Sequence, residues 1–181
     1  MKKTIPLLVA LLLCISLVAC GNSKNVKSLM NGFEWGQSSA QIQKNIAKHS
    51  GNYVVCGLLV EDLVIDIYGP LDSLRYVISS EEVAEEDATE KVYDLLIDDY
   101  NTLKESLIDL LGEPDSDKEY DVTEYDALQY RNVTYWYIED DIVRLELGRE
   151  RKVSSTPSYA MFQFTDVTYT YALKLDLEHT A

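Results

Sequence analysis

The segment from residue 92 to residue 111 most constrains the fold of this chain. Its apolar side chains recur at helical spacing, at Val92, Leu96, Tyr100, Leu103, Leu107, Leu110 and Leu111. Asp87 and Glu90 precede the segment with the spacing of a helix cap, and Gly112 and Pro114 follow it as stop signals. The pattern predicts a helix over residues 88–111 whose apolar stripe must pack against another element.

Strand patterns occur both before and after this helix in the sequence, and they predict the sheet against which the helix packs. They lie at residues 53–60, 63–68, 74–79, 128–131, 133–138, 142–148 and from 160 onward. A shorter helix is predicted over residues 38–50, because Ser38 and Gln41 have capping-box spacing and Gly51 is a stop signal. These patterns predict an α+β fold in which both helices pack on one face of a single antiparallel sheet. The expected core includes Leu96, Leu103, Leu107, Ile65, Val143, Leu145 and Trp136.

Two short segments of the chain resemble each other. Residues 59–67 align without a gap to residues 137–145, so that Glu61-Asp62 matches Glu139-Asp140. Each segment follows a helix that ends at glycine. We therefore interpret residues 32–181 as a single α+β domain of two similar units, about 32–80 and 87–178, each a helix followed by three or more strands.

The N-terminus carries a targeting pattern. Lys2 and Lys3 precede an apolar run over residues 5–18 that is too short to cross a bilayer as a helix. The run ends at Leu17-Val18-Ala19-Cys20, which resembles the lipobox of bacterial lipoproteins. The resemblance implies cleavage before Cys20, a diacylglycerol on its sulfur, and a chain anchored on the extracytoplasmic side of the cell membrane. We accordingly expect a signal peptide over residues 1–19, and lipidated Cys20 with a flexible tether over residues 20–31.

Two further motifs carry a second resemblance. Phe33-x-Trp35-Gly36-x-Ser38 opens the first helix, and Leu111-Gly112-Glu113-Pro114 closes the second. These motifs resemble the tandem α/β units of the β-lactamase-inhibitor-protein-like and BamE-like small lipoproteins. The resemblance implies helices on one face of an antiparallel sheet and binding of other proteins through the open face. The chain departs from the inhibitor proteins in lacking their paired cysteines, which leaves no support for an inhibitor function.

Charge and cysteine content narrow the classes of partner. The chain has 31 acidic and 16 basic side chains and a net charge of −15, and removal of Lys2 and Lys3 with the signal makes it more negative. Nucleic acid is therefore excluded as a partner, and an acidic surface favours a basic one. After Cys14 and Cys20, only Cys56 remains; we interpret it as a small buried residue on a strand.

One acidic segment has the alternating oxygen spacing of a calcium loop. Its residues are Asp115, Asp117, Glu119 and Asp121, with Asp126 at the twelfth position. Tyr120 stands where such a loop needs glycine, so a solvated acidic loop is the favoured interpretation and calcium the alternative. His49 and His179 lack metal-ligand spacing, and we predict no metal site and no cofactor.

The strand around Trp136 provides the candidate binding surface. If Trp136 and Ile138 are buried, Tyr135 and Tyr137 point outward, where their amphipathic rings suit a protein or glycan contact. The alternative is cross-strand pairing that only covers the sheet. We therefore predict a membrane-anchored, non-enzymatic domain that binds a protein partner through Tyr135 and Tyr137. The competing hypothesis is a surface hydrolase acting on cell-wall or peptide substrates.

Overall fold

A computed structural model describes residues 25–89, 91–120, 128–156 and 164–180. Within these ranges the helices are α1 (Ser39–His49) and α2 (Lys91–Leu111), with 3₁₀ turns at Val26–Leu29 and Glu85–Asp87. The strands are β1 (Val54–Val55), β2 (Leu58–Leu59), β3 (Asp62–Ile65), β4 (Ser73–Ala84), β5 (Ser116–Glu119), β6 (Leu128–Ile138), β7 (Asp141–Thr156) and β8 (Phe164–His179).

The predicted α+β class is confirmed. Six strands form one antiparallel sheet in the order β3-β4-β8-β7-β6-β5, and β1 and β2 form a separate two-stranded hairpin. Strand β8 is the last of the described strands in chain order, yet it lies between β4 and β7. It therefore joins the part of the sheet that precedes α2 to the part that follows it.

Helix α2 covers the middle of the sheet through the predicted stripe. Its buried side chains are Val92, Tyr93, Leu96, Tyr100, Leu103, Leu107 and Leu111. They meet fully buried residues of the sheet that include Trp136, Val143 and Leu145, as expected, whereas Ile65 is only half-buried. The helix ends at Gly112, whose φ is +84° and whose carbonyl accepts a hydrogen bond from Trp136 Nε1 at 2.8 Å.

Helix α1 packs on the same face of the sheet as α2. Its predicted capping box forms, since the side-chain oxygen of Gln41 accepts a hydrogen bond from the Ser38 N–H at 2.9 Å. His49, at the other end, stacks on Tyr53, and Tyr53 lies against the fully buried Tyr76 of β4. Both helices are therefore on one face, which we call the covered face; the opposite surface is the open face.

The predicted tether is wrong for residues 26–31. Val26, Leu29 and Met30 are at most 4% exposed and belong to the core. The amide of Asn31 donates a hydrogen bond to the hydroxyl of Tyr76 at 3.1 Å. The segment is mostly polar, which led to the prediction of a tether, but its three apolar side chains anchor it in the core. The domain therefore begins earlier than residue 32.

The single strand predicted over residues 53–60 is also wrong. The apolar run at residues 53–60 turns back on itself at Cys56-Gly57, both with positive φ, so Val54–Val55 pairs with Leu58–Leu59. Cys56 is therefore half-buried in a turn and not in a strand, and burial raises the pKa of its thiol. Only β3 and β4 of this region enter the large sheet.

The two aligned segments are not structurally equivalent. Glu139 and Asp140 form the two-residue turn of the β6–β7 hairpin, with Glu139 at φ 55°. Asp62, by contrast, already belongs to β3, and the Glu61 N–H donates to Val77 O at 2.8 Å. The first unit contributes two strands to the sheet and the second contributes four, so the two units differ in more than length.

The strands after α2 are longer than the sequence patterns predict. Strand β6 runs from Leu128 to Ile138 with a register shift between Tyr130 and Asn132. Strand β7 continues to Thr156 and pairs with β8 over its whole length without a shift in register. The register irregularity of β8 lies instead against β4, between Val77 and Ser79.

Candidate functional site

The alternation along β6 is the one predicted for the candidate binding surface. Trp136 is fully buried on the covered face, while Tyr137 is 54% exposed and Tyr135 half-buried on the other side. The Tyr137 N–H is fixed by Asp115, whose Oδ2 accepts its hydrogen bond at 2.7 Å. The two predicted tyrosines are thus brought together on the open face.

Tyr135 and Tyr137 form a flat pair of rings. Their centroids are 6.1 Å apart and their planes differ by 3°. The guanidinium of Arg144 lies 5.8 Å from the Tyr135 centroid, within the range of a cation–π contact. Burial raises the pKa of Tyr135, so its hydroxyl stays protonated at neutral pH and can both donate and accept hydrogen bonds.

A row of charges runs across the open face beside these rings. Arg75, Asp176 and Arg144 stand directly opposite one another on β4, β8 and β7. Arg75 holds Asp176 with two nitrogens, one of them at 3.0 Å, and an Arg144 nitrogen lies 3.9 Å from the same carboxylate. Because the three residues come from three strands, the strand register holds this row in place.

The row continues to a buried carboxylate. Glu146 is 2% exposed, is paired with Arg144, and has Lys174 Nζ at 3.7 Å from Oε1. Burial raises the pKa of Glu146, and the neighbouring cations only partly offset that effect. The five side chains therefore alternate in sign, and the three cations exceed the two carboxylates by one charge.

The tyrosine pair and part of this row enclose a cleft of about 540 Å³ on the open face. Tyr135 and Tyr137 bound it at β6, and Val64 and Asp66 bound it at the end of β3. The rest of the lining comes from β3, β4, β7 and β8 and comprises Ile65, Ser73, Leu74, Arg75, Ile142, Arg144, Asp176, Leu177 and Glu178. This mixture of phenols, apolar side chains and both signs of charge suits recognition of a polypeptide.

Sequence reasoning missed Arg75, Arg144 and Asp176. Each is a charged residue on an alternating strand, which by itself indicates only solvent exposure. Arg75 and Asp176 are 101 residues apart, and nothing in the sequence places them in register. Only the pairing of β4 and β7 with β8 brings the three residues together, and the sequence does not show that pairing.

The acidic segment after α2 is a strand and not a loop over residues 116–119. Asp117 Oδ1 accepts a hydrogen bond from Thr134 Oγ1 at 2.7 Å, and Lys104 pairs with Oδ2. Although burial would raise the pKa of Asp117, these hydrogen bonds hold it below its usual value. Asp121 and Asp126 lie outside the described residues, and Glu119 is exposed on β5. Within the described ranges, no group of three His, Cys, Asp or Glu side chains is placed to hold a metal ion.

The predicted lipidation site, Cys20, also lies outside the described residues, as does the whole predicted signal peptide. In the part of the chain that the structure describes, no helix is long and apolar enough to cross a membrane. Comparisons of the chain with protein-family models, curated proteins and solved structures found no match.

Proposed function

We propose that this protein is a lipoprotein, anchored through Cys20 outside the cell membrane, whose domain binds another protein on the open face of its sheet. The observation that carries the binding proposal is the cleft beside Tyr135 and Tyr137. Binding needs no cofactor, because the groups that would recognise the partner are side chains of the chain itself.

The chemistry of the cleft favours a partner with an extended segment that carries a basic side chain. Asp66 and Glu178 are exposed carboxylates of the lining, whereas Asp176 is already paired with Arg75. The parallel rings of Tyr135 and Tyr137 offer a flat surface to an aliphatic or cationic side chain. Rim charges of this kind affect the rate of association most, so binding should weaken as salt rises.

Photo-crosslinking on intact cells tests the proposal. A photoreactive residue in place of Tyr137 should capture a specific partner, and the same residue in place of Leu95 should not. Leu95 is the matched control because it is 67% exposed but lies on α2, away from the open face. The double variant Tyr135→Ala/Tyr137→Ala should lose the captured partner, while Leu95→Ala should keep it.

The stability of the double variant must be measured alongside. Tyr137 is more than half exposed, so its truncation should change the free energy of unfolding by no more than about 0.5 kcal/mol. Capture that is unchanged in a folded double variant would rule out this face. If no partner appears and the purified protein turns over a cell-wall or peptide substrate, the hydrolase hypothesis replaces the binding proposal.

A further inference from the structure

The basic and acidic side chains of this protein are unevenly distributed along the chain. All but one of its 31 acidic residues follow residue 60, and the exception is Glu34. Residues 25–60 carry Lys27, Lys44 and Lys48, and all three are exposed. Lys44 and Lys48 are one helical turn apart on α1 and face away from its buried Ile42. The segment with the first helix is therefore a weakly basic part of an otherwise acidic molecule.

This basic part adjoins the predicted lipid anchor. Five residues, 21–25, separate Cys20 from Val26, which is fixed in the core. Even fully extended, the six chain steps from Cys20 to Val26 span at most about 22 Å. The connecting residues include Lys24 and no acid. An anchor this short keeps the N-terminal segment close to the bilayer, whatever the orientation of the rest.

Packing fixes which elements lie near that segment. The turn at Gly32 sits against Asn45 and His49 of α1. Ser28 and Leu29 share a groove with Cys56 and with the last turns of α2, where Asp109 contributes a carboxylate. The three lysines thus belong to elements packed around the point where the chain leaves toward Cys20.

We infer that Lys27, Lys44 and Lys48 form a surface that rests on anionic phospholipid headgroups, with the acidic remainder of the domain turned away from the bilayer. The inference rests on the lipid anchor of the proposed function and adds an orientation to it. Attraction of the lysines and repulsion of the carboxylates act in the same direction, and both fall off within a Debye length of the surface.

Contact-range quenching on vesicles tests this orientation. The full lipidated protein, in a Cys56→Ser background, would carry a fluorophore at Lys27→Cys, Lys48→Cys or Lys118→Cys. Each variant loses one lysine, so the three are matched in charge. Lys118 is exposed on β5, which lies four strand spacings, or roughly 19 Å, from β4. The quencher is a nitroxide on the lipid headgroup.

In vesicles containing phosphatidylglycerol, quenching should be several-fold greater at positions 27 and 48 than at position 118. The difference should shrink in phosphatidylcholine vesicles, and also as the Debye length falls from about 30 Å at 0.01 M salt to about 3 Å at 1 M. The double substitution Lys44→Glu/Lys48→Glu should reduce quenching at position 27 without releasing the protein.

Two results would overturn the inference, and they are distinguishable. Equal quenching at the three positions on a protein that sediments with vesicles would reject the orientation and leave the anchor intact. A mature protein whose mass lacks the diacylglycerol, and which stays in solution, would reject both the anchor and the orientation.

Discussion

On the covered face of the sheet, Val143, Leu145 and Leu175 are fully buried beneath α2, whereas the residues between them on the open face include Arg144 and Asp176. The same strands supply both faces, since successive side chains of a strand point to opposite sides. Each face also contains a polar network. The side chains beneath the helix are therefore apolar, while the uncovered side of the sheet is ordered by charge pairs between strands.

The two polar networks differ in what they connect. On the covered face, the Tyr100 hydroxyl lies 2.6 Å from Thr134 Oγ1, and Thr134 donates to Asp117, so α2 is joined to β6 and β5. Burial raises the pKa of Tyr100 to about 12. On the open face, the charge row joins only strands of the sheet. The covered network should therefore matter more for the docking of the helix.

The largest effect should come from the covered face. Leu103 is fully buried in the core, so Leu103→Ala should lower the free energy of unfolding by roughly 2–5 kcal/mol. Denaturant unfolding of the parent and the variant measures the loss. A loss near 0.5 kcal/mol, the level of an ordinary surface position, would mean that α2 does not pack as described.

An intermediate effect should come from the covered network. Thr134→Val keeps the shape of the side chain but removes the hydroxyl between Tyr100 and Asp117, and should cost about 1–3 kcal/mol. The matched control is Thr170→Val, because the buried Thr170 hydroxyl oxygen meets no hydrogen-bond partner among the described residues. Its stability should change by no more than about 0.5 kcal/mol. Equal losses for the two variants would show that the hydrogen bonds of Thr134 to Tyr100 and Asp117 do not stabilise the fold.

The smallest effect concerns the open face and depends on pH. Since burial raises the pKa of Glu146, the folded state binds its proton more readily than the unfolded state does. As pH falls from 7 toward 4.5, the ordinary pKa of a glutamate, protonation of Glu146 should therefore increasingly stabilise the folded state. The unfolding free energy of the parent minus that of Glu146→Gln should therefore rise as pH falls over this range. A difference that falls would show that Arg144 and Lys174 stabilise the carboxylate more than burial destabilises it.

Local signals in the sequence were sufficient to predict the two helices and to predict which side chains of β6 face the core. Ser38 with Gln41 marked the start of α1, and Gly112 marked the end of α2. The burial of Trp136 then placed Tyr135 and Tyr137 on the open face. These features could be predicted because each depends on residues that are close together in the chain.

Features that depend on distant pairing could not be read in this way. The turn at Cys56-Gly57 interrupts an apolar run that resembles a single strand, because periodicity does not show where a chain reverses. Strand β5 consists of polar residues and is defined only by its pairing with β6. The charge row of the cleft likewise exists only once β4, β8 and β7 are in register.

The central place of β8 in the sheet has a consequence for synthesis. Arg75 and Asp176, which pair across β4 and β8, are 101 residues apart, and contacts of such long sequence separation slow folding. Until residues 164–179 have been made, β4 and β7 each lack a hydrogen-bonding neighbour. A chain that ends before residue 164 would expose both as open strand edges, which are templates for aggregation. Pairing of β8 with both strands is therefore the step that completes the sheet.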